Sequence, residues 1–283
     1  HVLDISQKLK AKSTTVVISN KLKNYKRFLL SKYQHIKFCY QHNQLGTAHA
    51  VLEAFKNYEI KETDTTLVLY GDTPSVTFKT LNAALRDFDK KNLDLSVISM
   101  IVKDLNNSYG RLLIKKGKLN KIIEKTEQTN EEKKIQLCNS GIMIIKTKHL
   151  FKKIKKIKNK NKKKEFYLTD LVEIFIKENY KVSNFNCKLG ESMGVNDKED
   201  LAKLEKQFQE DMRKKFLKKG VTLIDPSSVY FSKDTKIGKD VVIYPNVYFG
   251  QGVKVGDKTT IKSFCHIEFT KIGNNSIIGP FVR

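Results

Sequence analysis

The residues best placed to do chemistry lie in the stretch Thr65–Pro74, TTLVLYGDTP. Residues Thr66–Tyr70 are β-prone and lead into Gly71 and Asp72, which predicts a buried parallel strand that ends in a tight turn. In open α/β sheets, ligands bind outside the carboxyl ends of the strands. We therefore expect Asp72 to hold a divalent metal ion against phosphates. The alternative is a turn aspartate that accepts hydrogen bonds from nearby backbone N–H groups.

A second candidate segment runs from Gln41 through Gly46 and Thr47 into an apolar helix. Gly46 permits close backbone approach, and Thr47 can cap the helix. Because a helix amino terminus beside the carboxyl end of a strand favours an anion, this segment is a candidate nucleotide site. His49 has the chemistry of a proton-transfer group, but a packed or surface histidine is the more common role inside such a helix.

A third candidate is Asn139, which precedes the apolar run Ile142–Ile145. An amide at the start of a strand can bind sugar hydroxyls, and the alternative is an ordinary turn residue. The candidates so far are acids, amides and glycines. No Ser-His-Asp or Cys-His set indicates a protein nucleophile.

The elements that must position these residues alternate between strand and helix. Strand patterns occupy residues 13–19, 36–40, 66–71 and 93–102, with amphipathic helices at 21–32 and 78–88. This alternation predicts a parallel sheet with right-handed crossovers. From Tyr109 onward, two short strands turned by Gly117 predict an antiparallel hairpin that serves as a substrate-binding lobe at the sheet edge.

Two further patterns follow. Apolar residues recur every three or four positions in Leu201–Phe216, which predicts a long helix with one apolar stripe. A period of six then sets the apolar positions Phe231, Ile237, Ile243, Phe249, Val255, Ile261 and Ile267, followed after a one-residue slip by Ile272 and Ile278. A hexapeptide repeat predicts a left-handed parallel β-helix with three hexapeptides in each coil.

Composition limits the partners. The net charge of +24 is a common feature of proteins that bind nucleic acid. Here, however, nearly all of the excess positive charge is lysine, spread along the 283 residues. Proteins that recognise nucleic acid usually also have arginines and interleaved aromatic residues. We therefore expect no nucleic-acid partner. The length indicates two domains.

The cysteines and apolar runs indicate the compartment. Cys39, Cys138, Cys187 and Cys265 form no metal-spaced pair and fit buried thiols in a reducing cytoplasm. No apolar run is long enough to span a bilayer. The chain begins at His1 without an initiator methionine, so we expect it to lack part of both ends.

Seven motifs, in order and ahead of the long helix and the hexapeptides, together resemble one family. They are Gln41 with QLGTAHA, LYGDTP, Tyr109-Gly110-Arg111, Ile123-Glu124-Lys125, Asn139-Ser140-Gly141, EFYLTD and Gly194-Val195-Asn196. The chain resembles the bifunctional bacterial N-acetylglucosamine-1-phosphate uridylyltransferases and glucosamine-1-phosphate acetyltransferases over essentially its whole length. The resemblance implies a Rossmann-like α/β nucleotide-diphospho-sugar transferase domain at 1–198, a helical linker arm at 199–219 and the start of a left-handed β-helix acetyltransferase domain at 220–283.

The resemblance also assigns site residues. It implies that Asp72 and Asn196 are catalytic and ligate Mg²⁺. It further implies a uridine-binding segment of Gln41, Gly46 and Thr47, a phosphate edge of Tyr70 and Gly71, and an amino-sugar side of Gly110, Glu124, Asn139 and Asn196. Two neighbours depart from the usual motif, namely Ala48, commonly Gly, and Ser140, commonly Thr.

The implied chemistry is the synthesis of UDP-N-acetylglucosamine for peptidoglycan and lipopolysaccharide in the cytoplasm. UTP and N-acetylglucosamine 1-phosphate would react in one domain. Acetyl-CoA and glucosamine 1-phosphate would react between neighbouring β-helices of a homotrimer. Since the family's glycine-rich loop and its lysine precede the stretch matching His1, and its acetyltransferase residues follow Arg283, we expect this chain alone to be inactive. His266 is expected to be structural.

Two alternatives stay open. The first is another sugar-1-phosphate nucleotidyltransferase with a hexapeptide tail, acting on thymidylyl or adenylyl groups. The second is a basic scaffold that binds nucleic acid and has kept a catalytic fold, for which steeply salt-dependent RNA binding would be the sign.

Overall fold

The computed structural model describes residues 1–22, 24–33, 35–56, 64–191, 193–195 and 197–283. The chain forms two compact units, His1–Gly194 and Val195–Arg283, each with its own hydrophobic core. Among the described residues, no helix combines the length and the apolar character needed to cross a membrane.

Helices and strands alternate in the first unit. Its helices are α1 (Val2–Lys8), α2 (Tyr25–Lys32), α3 (Thr47–Phe55), α4 (Phe78–Lys90), α5 (Asn130–Lys133), α6 (Thr147–Lys153) and α7 (Asp170–Lys177). Its strands are β1 (Thr14–Ile18), β2 (Ile36–Tyr40), β3 (Thr65–Val68), β4 (Leu95–Ile101), β5 (Arg111–Lys115), β6 (Lys118–Ile123), β7 (Leu137–Lys146) and β8 (Val182–Asn186).

Strand β7 organises the main sheet. The order is β6-β5-β7-β4-β8, and β3 also pairs with β7. Strands β3, β4 and β5 all run antiparallel to β7, while β4 and β8 are parallel. Strands β1 and β2 form a separate parallel pair. The predicted antiparallel hairpin is confirmed as β5 and β6.

The prediction of a buried parallel strand at 66–70 is wrong in its extent, its burial and its direction. Strand β3 already ends at Val68, with side chains only partly buried, and it pairs antiparallel with β7. The direction follows from the connection, because the chain leaves β4 and returns through the β5–β6 hairpin, which reverses β7 relative to β4.

The core of this unit lies on both faces of the sheet. Residues Ile142 and Ile144 of β7 pack in one cluster with Leu81, Ala84 and Phe88 of α4. The alternate residues Met143 and Ile145 pack in another with Leu171, Val172 and Phe175 of α7. The run is buried throughout because successive side chains of a strand point to opposite faces and both faces are covered. By contrast, α2 has no buried residue, although the sequence predicts an amphipathic helix there.

The second unit begins with helix α8 (Lys198–Leu217) and continues as a coiled stack of two-residue strands. These are β9 (Thr222–Leu223), β10 (Tyr230–Phe231), β11 (Lys236–Ile237), β12 (Val242–Ile243), β13 (Tyr248–Phe249), β14 (Lys254–Val255), β15 (Thr260–Ile261), β16 (His266–Ile267), β17 (Lys271–Ile272) and β18 (Ile277–Ile278). They form three parallel sheets, in the orders β10-β13-β16, β11-β14-β17 and β18-β15-β12-β9.

The hexapeptide prediction is confirmed by this geometry. Tyr230 pairs with Tyr248, one coil of 18 residues later, whereas Lys254 pairs with Lys271 because of the one-residue slip. The second residue of each strand is the apolar residue of the repeat, and most of these side chains are buried. Sequence analysis missed Leu223, which fills the corresponding place in β9.

Helix α8 packs on the first coils through its carboxyl-terminal half. Met212 and Phe216 are buried in the core of this unit, and the amide of Gln209 donates to and accepts from the backbone of Phe231, at 2.9 and 2.8 Å. Leu201 is exposed, so the predicted apolar stripe is buried only in part.

Candidate functional site

Asp72 lies in the turn that follows β3. Thr73 closes this turn by donating its backbone N–H and its hydroxyl to the carbonyl oxygen of Tyr70, at 3.3 and 2.9 Å. Asp72 is an exposed residue. The chain around its carboxyl group nevertheless removes part of the water there, which raises the pKa of this carboxyl, and a hydrogen bond from its own backbone N–H partly offsets the rise. A partly desolvated but accessible carboxylate is stabilised by a nearby cation.

Tyr70 connects this turn with the rest of the site. Its ring lies against the backbone of Gly141, where an added Cβ would come 2.7 Å from Tyr70 Cε2. Burial raises the pKa of Tyr70 to about 12; its hydrogen bond with the Thr47 side chain opposes the rise, and the charges of Glu124 and Asp72 add to it. Tyr70 is therefore a neutral phenol surrounded by three of the predicted site residues.

The segment at Gly46 is held against a second stretch of chain around Phe166. Gly46 has φ +110°, and a Cβ there would lie 2.6 Å from the Phe166 carbonyl oxygen, so only glycine fits. That carbonyl accepts from Ala48 N–H at 2.9 Å, and Phe166 N–H donates to the Leu45 carbonyl at 2.7 Å.

Thr47 acts differently from the prediction. Gly46 is the residue that precedes α3, and no side chain caps this helix. The hydroxyl of Thr47 instead accepts from Leu168 N–H at 2.9 Å. The predicted cap is wrong because the second stretch of chain comes close enough to take the hydroxyl.

Glu124 lies at the amino end of α7. Its Oε1 accepts from the Thr169 hydroxyl at 2.8 Å. Burial raises the pKa of Glu124, and the hydrogen bond from Thr169 partly offsets this rise. Burial, with the nearby charges of Glu124 and Glu173, also raises the pKa of Asp170 to about 6. Two acids are thus crowded on one side of the site.

Asn139 and Gly110 occupy the neighbouring strands. Asn139 N–H donates to the Gly110 carbonyl at 2.8 Å, and Asn139 Oδ1 accepts from Gly141 N–H at 3.0 Å. A Cβ on Gly110 would lie 3.4 Å from Glu124 Oε2. The pairing of β4 with β7 is irregular here, between Val97 and Ser99, and bulges of this kind often adjoin active sites. Asn139 is therefore a buried strand residue and not a turn residue.

These contacts connect the predicted site residues. They run from Tyr70 to Gly141, Asn139 and Gly110, which lies beside Glu124, and the charge of Glu124 raises the pKa of Tyr70. Asp72 and Thr47 adjoin Tyr70, and Gly71 lies in the same exposed turn as Asp72. The predicted site residues are thus brought together although they are far apart in the sequence. Asn196 lies outside the described residues.

Sequence reasoning missed one supporting residue, Arg111. This side chain is 0% exposed, and its guanidinium donates to Asn107 Oδ1 at 2.6 Å, to Cys138 Sγ at 2.7 Å and to the Leu105 carbonyl at 3.1 Å. It fixes the loop before Tyr109, whose hydroxyl accepts from Gly194 N–H at 3.2 Å. An arginine at the start of an apolar strand, RLLI, was the available signal.

Comparison with known proteins shows the class to which this chain belongs. The family model for the nucleotidyl transferases matches residues 4–190, and the one for the bacterial transferase hexapeptide (six repeats) matches residues 234–269. A solved structure, that of the inositol-1-phosphate CTP transferase from T. maritima, shares the fold with a TM-score of 0.54 and 14% identity, over 74% of this chain and 82% of that chain. The chain belongs to the nucleotidyl transferase family.

Curated relatives narrow the resemblance. The bifunctional protein GlmU of Zymomonas mobilis is 36% identical over 283 residues, which is 100% of this chain and 63% of the relative. That of Wolbachia pipientis wMel is 36% identical over 285 residues, covering 100% and 64%. That of Paramagnetospirillum magneticum is 40% identical over 244 residues, covering 86% and 54%. These matches confirm the family resemblance inferred from the motifs. The chain spans less than two thirds of the length of these relatives.

Proposed function

We propose that this chain carries a magnesium-dependent uridylyltransferase site, which makes UDP-N-acetylglucosamine from UTP and N-acetylglucosamine 1-phosphate. The observation that supports this most is the cluster of predicted site residues around Tyr70, within a domain of the nucleotidyl transferase family. It joins the nucleotide-side residue Thr47 and the metal-side residue Asp72 to the amino-sugar-side residues Glu124 and Asn139.

Each residue has a positioning role in this proposal. Gln41, Gly46 and Thr47 bind the uridine, and Tyr70 and Gly71 border its phosphates. Glu124 accepts a sugar hydroxyl, with Gly110 and Asn139 beside it. Thr169 holds Glu124 through the 2.8 Å hydrogen bond, which orients one carboxylate oxygen and leaves the other toward Gly110.

The donor set at Asp72 fits Mg²⁺. This ion keeps several waters and commonly binds through one or two carboxylates together with substrate phosphates. One accessible, partly desolvated carboxylate suits it. Bound Mg²⁺ would neutralise phosphate charge. Asp72 and Asn196 are the proposed ligands.

The reaction is an in-line displacement. An oxygen of the sugar phosphate forms a bond to the α-phosphorus of UTP, and the bond from that phosphorus to the bridging oxygen of the β-phosphate breaks, which releases pyrophosphate. The attacking phosphate is already anionic, so no protein base is required. The side chains contribute by alignment, which can account for a large share of the rate.

The proposal is tested by pyrophosphate release from the native protein, which here means the natural protein that contains these residues and not this chain alone. UTP, dTTP and ATP are each supplied with Mg²⁺ and either N-acetylglucosamine 1-phosphate or glucose 1-phosphate. We expect turnover with UTP and the N-acetylated sugar to exceed every other pair. A preference for dTTP or ATP would favour the alternative nucleotidyltransferases. Absence of turnover, together with RNA binding that weakens steeply with salt, would favour the basic scaffold.

The hexapeptide coils support a second activity. Parallel coils of this kind, matched by the transferase hexapeptide family at 234–269, fit acetyl transfer from acetyl-CoA to glucosamine 1-phosphate in a homotrimer. Light scattering and acetyl-CoA consumption by the native protein test this, and a monomer without turnover would contradict it. A cytoplasmic location is proposed as well, supported by the free thiols of all four cysteines.

A further inference from the structure

The proposed base-binding segment contains a chain of hydrogen bonds that the roles above leave unused. Gln41 Nε2 lies 3.0 Å from the Gly46 carbonyl oxygen and 3.0 Å from His49 Nδ1. His49 Nε2 lies 3.2 Å from Glu53 Oε1, and Glu53 Oε2 lies 2.7 Å from Lys56 Nζ. The contacts therefore lead without a break from the Gln41 amide to a lysine at the end of α3.

The chemistry of these groups fixes where each hydrogen lies. A carbonyl oxygen only accepts, so the Gln41 group that faces Gly46 must be the NH₂ and not the amide oxygen. Its second hydrogen is directed to His49 Nδ1, which must then be an unprotonated acceptor. The ring proton consequently lies on His49 Nε2, which donates a hydrogen bond to the Glu53 carboxylate.

The same bonds determine what Gln41 offers to a ligand. Since its nitrogen is engaged twice, the remaining group is the acceptor Oε1, which has no hydrogen-bond partner among the described residues. A flipped amide would set Oε1 against two acceptors, the Gly46 carbonyl and His49 Nδ1, which is unfavourable.

We propose that His49 is a positioning residue that holds Gln41 as a hydrogen-bond acceptor and so selects nucleobases with an imide N–H. The inference rests on the proposed function, which places Gln41 at the base. Uracil and thymine present a donor at N3, whereas cytosine presents an unprotonated acceptor there. An acceptor facing an acceptor leaves both unpaired, and polar mismatches of this kind discriminate strongly.

Three variants separate this role from simple packing. His49→Asn places an amide oxygen near the position of Nδ1, so it still accepts from Gln41. His49→Gln places its amide near the position of Nε2, and His49→Ala removes both groups. We expect the ratio of CTP to UTP dissociation constants, measured by calorimetry on the native protein, to stay within about threefold of wild type in His49→Asn and to fall about tenfold in the other two.

A second measurement needs no nucleotide. Ring ¹⁵N shifts of His49 in the free protein should show Nδ1 unprotonated and Nε2 protonated. The opposite tautomer would overturn the inference while leaving the proposed function intact, and so would a full uridine preference in a folded His49→Ala protein. Failure of the wild-type protein to bind UTP, despite the expected tautomer, would overturn the proposed function and with it the role in base selection.

Discussion

The backbone of Gly141 lies directly against the ring of Tyr70. With φ +85° at Gly141, a Cβ there would come 2.7 Å from Tyr70 Cε2 and 2.8 Å from Cδ2. The contact ties β7 to the chain that leaves β3 toward Asp72, so a single glycine sets the distance between the proposed sugar and metal sides of the site.

Replacing this glycine should disturb both stability and binding. Gly141→Ala forces a side chain into a left-handed backbone and into the Tyr70 ring, and we expect the free energy of unfolding to fall by about 2 to 4 kcal/mol. Affinity for UDP-N-acetylglucosamine should fall with it. Urea unfolding and calorimetry measure the two effects.

Gly117→Ala is the matched control, because Gly117 also has positive φ, +72°, but nothing lies within 4 Å of its added Cβ. It should lose only about 1 kcal/mol and bind normally. Equal effects at the two positions would show that the Tyr70 contact has no importance.

The crowding of acids beside α7 predicts a pH dependence. The pKa of Asp170 is raised from 3.8 to about 6 in the folded protein, so folding favours the protonated form. The related stability is fully present below about pH 4 and is lost as the pH rises through about 6. Asp170→Asn should therefore match wild type at pH 4 and exceed it by about 1 to 2 kcal/mol at pH 7, with allowance for solvent screening.

Urea unfolding from pH 4 to pH 7 measures this difference. Glu131→Gln is a suitable control, since that side chain is 81% exposed and should show no such trend. A variant less stable than wild type at pH 7 would mean that the Asp170 carboxylate is a stabilising group.

The β-helix offers a test in two adjacent residues. Phe249 is 0% exposed and stacks on Phe231 with ring centroids 5.3 Å apart, whereas Tyr248 points outward and is 49% exposed. Phe249→Ala should lower the stability of the second unit by about 3 to 5 kcal/mol, and Tyr248→Ala by less than about 1 kcal/mol. Thermal unfolding followed by circular dichroism distinguishes them, and similar losses would argue against the register of the coils.

Local periodicity explains what could be predicted from the sequence. The apolar spacing of Phe231 to Ile278 yielded the β-helix, because each coil repeats one environment. The run Ile142–Ile145 yielded a strand, because it is buried on both faces. The direction of β3 could not be read this way, since it depends on how the distant hairpin returns the chain to β7.

The candidate site also has a part that could be predicted from local sequence and a part that could not. Asp72, the segment of Gln41, Gly46 and Thr47, and Asn139 follow from their places beside strands and a helix. Tyr70, Gly71, Gly110, Glu124 and Asn196 were assigned by family resemblance. The hydroxyl of Thr47 binds Leu168 N–H, from a stretch 121 residues away in the chain, and no local pattern reports such a contact. Arg111 was missed because burial of a charged side chain depends on partners supplied by three other segments.

The central claim is that Asp72 supplies the carboxylate that holds Mg²⁺ at the nucleotide phosphates. The most direct test is to measure the rate of pyrophosphate release by the native protein carrying Asp72→Asn. Asp89→Asn, an exposed acid at the end of α4, serves as the control. We expect Asp72→Asn to lower this rate at least about a hundredfold without changing the stability of the protein. The variant should also lose the Mg²⁺ dependence of UDP-N-acetylglucosamine binding, whereas Asp89→Asn should behave as wild type. Retention of more than roughly a tenth of the wild-type rate by Asp72→Asn would contradict the central claim.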